Sequence, residues 1–432
     1  MSYLGAQNSI ALGVQGLIHI DTGGDAGGSA GYNVNKSLRF RSSASAYLSR
    51  TATSITNTYT LSVWVKRGTV SGSGVIFQFL NGANNAVYGA LGFYNATDGL
   101  VWEFIGTPYV STAQYRDPAA WYHIVVNSSG VMYVNGVSVR TGMSTASIAS
   151  GSIMTIGKNS LSSGYQFDGE MAEVNFVDGQ DLAPTAFGAS STYNQWLPKK
   201  YAGTYGTNGF YLPFTNVTST STLVADSSGN ANNWTPNNIS LTAGSTYDSL
   251  TDVPTLTSTT VANYCVLNPL KTTKAPTEGN LAIIGSNSLI TDTTYGSIGV
   301  TGSGTYYFEC IGPLAFGINT QDINPVVDQA TGRLVYNAAA GGIYSGSTAL
   351  QTGLATAGAT DVVGVALSLT GSVITFYKNG VQLGTPVSVT PTNTFWPFLS
   401  TTNTNTSYAN FGQRPWSYNP PSGFLSLNTF NI

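Results

Sequence analysis

The sequence predicts an all-β protein: two tandem antiparallel β-sandwiches behind a flexible N-terminal arm. Three observations carry that expectation. Apolar and polar side chains alternate with period two over several short runs, the signature of strands with one face on a core. Asn-Gly pairs stand between such runs, at Asn135-Gly136 and Asn379-Gly380, and supply the positive φ angles of tight hairpin turns. Charged residues make up only 8% of the 432-residue chain, and 50 residues are Gly. Hydration must therefore rest on Ser, Thr, Asn and backbone groups, as in turn-rich β-structure.

Composition also sets bounds. With 42% hydrophobic and 12% aromatic residues, the chain can fill two or three cores at roughly 100–200 residues per domain. Disordered chains combine few aromatics with high net charge, the reverse of what is found here. The net charge of −3 comes from 16 basic and 19 acidic residues, and Lys199-Lys200 is the nearest thing to a basic cluster. A nucleic-acid partner is not expected from so little positive charge. No run of 18 or more apolar residues exists, so no membrane-spanning helix and no membrane partner are expected. Met1 to Ile20 lacks a basic n-region and a clean apolar core, which argues against a cleaved signal peptide.

Residues 1–36 form the arm. Met1 to Ile20 is mildly apolar, and Asp21 to Gly31 is a Gly-rich flexible linker. Such a segment is either ordered by a partner or a neighbouring subunit, or it is a disordered tail. From Ser37 the alternation begins. Ser37–Arg41, Thr60–Lys66, Gly74–Phe79, Leu100–Phe104 and Trp121–Val126 read as half-buried strands. Val131–Val139 is a hairpin turning at Asn135-Gly136, and Gly169–Val177 closes the set. Helical signals are nearly absent; Ala183–Gly188 offers a single turn.

Three stretches of this half resemble the laminin-G-like, concanavalin-type jelly roll: Leu61–Lys66, Trp121 to Gly136, and Phe167–Val174. The likeness covers about residues 37–190. Residues 191–261 are rich in Asn, Thr and Gly. Asn208–Phe214 and Asp226–Trp234 look like the opening of a second such repeat that is never completed, which makes this a connector with few strands.

Residues 262–432 carry a second set of strands: Thr305–Cys310, Ala315–Ile318, Asp361–Leu369, a hairpin from Val373 to Gly384, Phe395–Phe398, and Tyr408 to Trp416. This half resembles a SPRY domain, a sandwich known chiefly as a protein-interaction module. The run Asn410 to Phe424 is the most specific part; in that family it is a buried last strand followed by a Pro-rich tail. The combination of sandwich, connector and SPRY-like end also resembles structural proteins of tailed bacteriophages. That resemblance implies a virion protein (a tail or head fibre, or a capsid decoration), synthesised in the host cytoplasm. It would be homo-oligomeric, attach to other virion proteins, and present its sandwiches to a host-surface glycan or protein. A free lectin-like carbohydrate-binding protein is the alternative, and a glycoside hydrolase a more distant one.

Candidate chemistry is sparse. Glycosidases of the concanavalin-type fold hold two carboxylates about 5 Å apart on one strand face, which i,i+2 spacing delivers. Asp168 and Glu170 have that spacing, with Glu173 beyond. Those enzymes read Glu-x-Asp-x-(x)-Glu, however, and here the first two types are reversed. Without catalysis these carboxylates are expected to face solvent. His123, at a strand start, reads as a satisfied structural histidine, and His19 in the arm has no ligand-spaced neighbour. No enzymatic activity is therefore expected. Calcium needs only oxygens, which Asp226 and Asn230 could offer around Gly229, with Asp21 and Asp25 a looser pair; an Asx turn uses the same residues without an ion. No other cofactor is implied. Tyr109, Tyr115, Trp121 and Tyr165 are candidates for stacking on a sugar. Cys265 and Cys310 are too few for a disulfide framework and are expected as buried thiols, or as a single bridge.

Overall fold

The computed structural model describes residues 32–432 apart from 54–56, 82–86, 95, 146–147, 163, 287–290, 321–331 and 403. Most of the arm, with His19, Asp21 and Asp25, lies outside the described residues. The rest is built from antiparallel sheets stacked in two sandwiches.

In the first sandwich one sheet runs Val137–Arg140, Val131–Val134, Trp121–Asn127, Tyr59–Arg67, Gly169–Asp178, Ser37–Phe40, Ser249–Leu250. The facing sheet runs Thr235–Asn237, Tyr47–Thr51, Ile153–Ile156, Gly74–Asn81, Val87–Tyr94, Gly99–Phe104, Thr107–Val110. Alternate side chains from the two sheets meet in one core, among them Leu38, Phe77, Phe79, Trp102, Ile124, Met171 and Phe176. The hairpin at Asn135-Gly136 has φ of 47° and 80°, the paired positive values its sequence demands. The single turn appears as a 3-10 helix at Pro184–Ala186, and a short helix at Thr220–Leu223 is closed by a capping box on Ser219.

The second sandwich stacks the sheet Leu267–Thr272, Asp292–Gly296, Trp396–Thr401, Ala315–Asn319, Arg333–Asn337, Gly342–Ser345, Thr348–Gln351 on another. That other sheet runs Ala282–Ile284, Thr406–Asn410, Thr305–Ile311, Val362–Ser368, Val373–Lys378, Val381–Ser388. Phe308, Phe316, Val365, Phe376 and Leu399 fill the space between them. After the buried Phe411, the chain returns so that Leu425–Ser426 pairs in parallel with Thr305–Ile311.

The expectation of half-buried strands needs correction in the first sandwich. Ser37–Phe40 and Tyr59–Arg67 are buried along their whole length, on both faces. The alternation is real, but the outer face is covered too. The arm and connector do this: Val34, Trp196 and Val253 pack on Trp64 and Trp121, and Asp248 and Asp252 take up Arg39 and Lys66. Polar outer-face residues are thereby turned into a seam against the second half. Arg39, with no exposed surface, donates from Nε to Asp248 Oδ1 at 3.1 Å and from Nη2 to the Ser245 carbonyl at 2.7 Å. Arg414 Nη1 from the closing run donates to that same carbonyl at 2.7 Å. Thr251 N donates to the Gln413 carbonyl at 2.8 Å, and Asn280 Nδ2 to the Arg67 carbonyl at 3.2 Å.

Candidate functional site

The strand Gly169–Asp178 decides where the carboxylates go. Its pairing with Tyr59–Arg67 matches Ala172 to Trp64 and Asn175 to Ser62, so Glu173 and Val174 together face Val63. This is a β-bulge, and it re-aims a side chain. Glu173 takes φ of 52°, a left-handed conformation uncommon for a residue with a side chain, while Val174 stays in the core. The Glu173 carboxyl is turned into the floor of a cleft of about 360 Å³.

Tyrosines wall the cleft. The segment around Phe210–Leu212 delivers Tyr205 and Tyr211, whose rings stack at 6.2 Å and 15°; Tyr201 meets Tyr205 edge-on at 5.0 Å. Tyr32 lines the cleft beside Tyr211. Its backbone is fixed because Val34 is buried beside Trp64, Trp121 and Val253, and Val34 N donates to Thr255 Oγ1 at 3.2 Å. Tyr211 Oη donates to Glu173 at 2.8 and 3.0 Å; Tyr32 Oη also donates to Glu173 and lies 2.8 Å from Tyr211 Oη. Burial raises the pKa of Glu173 and outweighs these hydrogen bonds and the nearby Lys200 charge, which lower it. Tyr205 Oη donates to Asn175 Oδ1 at 2.7 Å, which fixes the middle ring. Asn33, Asn35, Thr215, Ser227 and Lys200 supply polar groups at the rim. Aromatic faces over a polar floor, ringed by amides and hydroxyls, are what a saccharide's C–H faces and hydroxyls require.

The expected carboxylate pair is not assembled there. Asp168 accepts from Gly279 N at 2.6 Å and Glu278 N at 3.1 Å, with Ser42 Oγ at 2.7 Å, and so ties the two halves together. Glu170 is buried beneath Gly279, and burial together with the Asp252 carboxylate raises its pKa well above the ordinary range. The expectation that these carboxylates face solvent is thus corrected: the connector and second half cover their strand. A second cavity of about 310 Å³ touches Arg67 and Asp168. Its charges are already committed, since Arg67 pairs with Asp98 at 2.8 Å and donates to the Tyr115 and Gly72 carbonyls.

The sugar-stacking candidates are dispersed. Tyr115 is 6% exposed and packs in the core against Tyr122, and Trp121 is buried with Nε1 donating to Asp252 Oδ1 at 3.0 Å. Both are corrected to structural residues: Tyr115 lies in a loop packed on the core, and Trp121 sits on the outer face of its sheet, where Val34 and Val253 cover it. Tyr165 is exposed, and Tyr109 is half-buried with its hydroxyl 2.8 Å from Ser144 Oγ; neither lines the cleft. His123 is fully buried between Trp64 and Trp196. At the calcium candidate, Asp226 accepts from Tyr211 N, Ser228 N, Ser228 Oγ and Asn232 N at 2.8–2.9 Å. Asn230 turns its Nδ2 toward the Gly206 and Gly209 carbonyls. Asp226 thus spends both oxygens on N–H and O–H donors, the geometry of an Asx turn and not of an oxygen cage. Cys265 and Cys310 are free thiols and fully buried.

Of the cleft residues, sequence reading singles out Glu173 alone, and only as the outlying member of a carboxylate set. Tyr32 lies in a segment that looks like linker, and Glu173 differs from its neighbours only through the bulge. The crowding of Tyr201, Tyr205 and Tyr211 within a Gly- and Asn-rich stretch was the available signal.

Comparison with known proteins agrees with this architecture. Residues 40–181 match the laminin-G-type model of the concanavalin A-like lectin/glucanases superfamily, and residues 293–414 match the SPRY domain model. No curated protein matches the chain. Among solved structures, the SPRY domain of human HERC1 is 18% identical, covering 33% of this chain and 96% of that one, with a TM-score of 0.28. The native heptameric SAP-like pentraxin from Limulus polyphemus is 15% identical, covering 35% of this chain and 80% of that one, with a TM-score of 0.29. A human SPRY domain is 18% identical over 30% of this chain and 96% of its own, with a TM-score of 0.23. The chain therefore joins a concanavalin A-like sandwich domain to a SPRY domain.

Proposed function

We propose that this chain is a non-enzymatic binding protein that holds a saccharide in the tyrosine cleft of its first sandwich. The observation that carries the reading is the set of Tyr32, Tyr201, Tyr205 and Tyr211 around the buried Glu173 carboxyl. A glycosidase would bring a second carboxyl to the same cleft, whereas Asp168 is hydrogen-bonded across the seam and Glu170 is buried outside the cleft. The setting we propose is a bacteriophage virion, as a fibre or capsid decoration displaying the cleft to host-surface glycan. The low charge, the Gly-rich arm and the pairing of these two domains support it. Homo-oligomerisation and attachment through residues 1–31 belong to the same proposal.

Glycan-array binding of the full chain tests the cleft, with Tyr205→Ala as the control. Loss of one stacking ring is expected to weaken binding about tenfold, equivalent to about 1.4 kcal/mol. A Tyr205→Ala chain that is folded and binds as the parent does would move the site elsewhere. For the setting, sedimentation with purified phage particles compares the full chain with one beginning at Tyr32. Co-sedimentation of the full chain alone supports the arm as the attachment device. A monomer that binds glycan with or without the arm and never joins particles is a free lectin instead.

A further inference from the structure

Two tyrosine hydroxyls and one carboxyl meet at the cleft floor, and their protons can be counted. Tyr32 Oη, Tyr211 Oη and the Glu173 carboxyl lie in mutual hydrogen-bonding contact, which makes three links: Tyr32 to Glu173, Tyr211 to Glu173, and Tyr32 to Tyr211. Each phenol carries one proton. With Glu173 ionised there are two protons for three links, and one pair of oxygens faces each other across 2.8 Å with nothing between them. With Glu173 protonated the count closes. The Tyr32–carboxyl link then reverses: the carboxyl O–H donates to Tyr32 Oη, Tyr32 donates to Tyr211 Oη at 2.8 Å, and Tyr211 donates back to the second carboxyl oxygen at 3.0 Å.

We infer that Glu173 is the neutral acid of a closed three-proton ring that holds Tyr32 as the wall of the cleft, so the site takes uncharged saccharides and releases them as Glu173 ionises. The inference rests on the saccharide reading above and adds to it the ligand's charge class and a pH control. Tyr32 is the member that gives way, because its side chain is half-buried and belongs to no strand, whereas Tyr211 is held in the strand Phe210–Leu212. Once Glu173 is ionised, the unprotonated link separates and the wall opens.

The surroundings agree. Burial, the first cause, raises the pKa of Glu173, and burial also raises those of Tyr32 and Tyr211. The groups around the ring on its packed elements are Tyr205, raised by burial and by Glu173, and Lys200 at the rim; Asp226 acts on Tyr205 from beyond the strand. Lys200 is exposed, so its pull on Glu173 or on an anionic ligand is screened. A cationic ligand would need Glu173 ionised and the ring broken. An uncharged polyhydroxyl ligand alone leaves every charge as it stands.

Two readouts test this on the full chain. Carbon-13 NMR of glutamate-labelled protein follows the Glu173 carboxyl, assigned by its disappearance in Glu173→Gln. The resonance is expected to keep its protonated position at pH values where an ordinary glutamate, with a pKa of about 4.3, has ionised. Titration in that ordinary range overturns the ring. Glycan-array binding at about pH 5 and about pH 9 gives the second readout. Binding of neutral glycans is expected to fall at least fivefold at the higher pH for the parent chain, and to lose that dependence in Glu173→Gln. Neutral-glycan binding that is flat with pH in the parent chain, or selective retention of acidic or amino-bearing glycans, overturns the inference. A neutral Glu173 with no glycan bound removes the saccharide reading and the ligand class with it. Glycan bound over an ordinarily titrating Glu173 removes the ring and leaves that reading in place.

Discussion

Lys66 Nζ donates to Asp252 Oδ2 at 2.6 Å, and both side chains are buried where the first sandwich meets the connector. The pair is not isolated. Lys66 also donates to Asn263 Oδ1 and the Tyr264 carbonyl, and Asp252 accepts from Trp121 Nε1 and Tyr264 N. A buried ion pair contributes little over an apolar pair of the same shape, but removing one partner strands the other in a low dielectric. We therefore expect Asp252→Ala to cost about 3–5 kcal/mol, leaving the buried Lys66 charge without its carboxylate partner and the Trp121 N–H without its acceptor. Urea unfolding of the parent is expected to show one transition, because the seam is part of both halves. Two well-separated transitions in the parent would show that the sandwiches are stable units of their own.

His123 sets an acid limit. Trp196 Nε1 donates to His123 Nδ1 at 2.8 Å, which assigns the proton to Nε2, and Nε2 lies 2.9 Å from Ser62 Oγ. Protonating Nδ1 would set two N–H groups against each other, and burial already lowers the pKa to about 3. The unfolded imidazole binds its proton near pH 6.5, so between those values the unfolded state holds more protons and stability falls as pH falls. At 1.36 kcal/mol per unit the loss approaches about 4–5 kcal/mol at the acid end. Glu170 and Glu173 act the other way. Their raised folded pKa values give stability that is present below the ordinary carboxylate range and lost as pH rises through the folded values. The urea midpoint should therefore decline on both sides of an optimum, and His123→Gln should flatten the acid side. An unchanged acid limb in that variant would contradict the assignment.

Most of the fold was legible because local signals and tertiary structure agree. Asn135-Gly136 and Asn379-Gly380 can hardly be anything but hairpin turns, and runs such as Ser37–Arg41 alternate cleanly. Val87–Tyr94, by contrast, carries Gly89 and Gly92, whose absent side chains make room for Phe79, Trp102 and the backbone of Gly74. A strand selected for close approach loses its alternation, and no strand was expected there. Full burial of Arg39 and Lys66 was equally hidden. A charged side chain at an alternate position reads as solvent-facing, and only the placement of Asp248 and Asp252 against Arg39 and Lys66 shows what covers it. The cleft failed for a similar reason. Its residues come from the arm, a bulge and the connector, which no single run of sequence places together.

Gly136 joins a turn to a core. A Cβ there would lie 2.5 Å from the Trp196 ring, and φ of 80° already disfavours any side chain. Trp196 in turn covers His123. Gly136→Ala is expected to cost about 1–3 kcal/mol and to move the tryptophan fluorescence as the ring shifts. A variant with the parent's melting temperature and spectrum would mean that the hairpin relaxes without touching Trp196.

Thiol chemistry reports on the opening of the second sandwich. Cys265 and Cys310 have no exposed surface; burial pushes the Cys265 pKa up to about 11 and that of Cys310 well above its usual value. Reaction with a disulfide reagent needs both access and thiolate. At pH 7 a thiol of pKa 11 is ionised only about once in 10⁴, so chemistry and burial each block the native state. Cys310 lies mid-strand, paired with Val363 on one side and Ala409 on the other, and exposing it requires the sheet to part. We therefore expect no modification of the native chain over minutes, two thiols modified in denaturant, and a native-state rate that rises with urea in step with unfolding. Fast modification of one cysteine without denaturant would reveal a local opening of the sandwich that bypasses global unfolding. Cys265, beside the seam at Gln413 Nε2, would be the residue to find labelled.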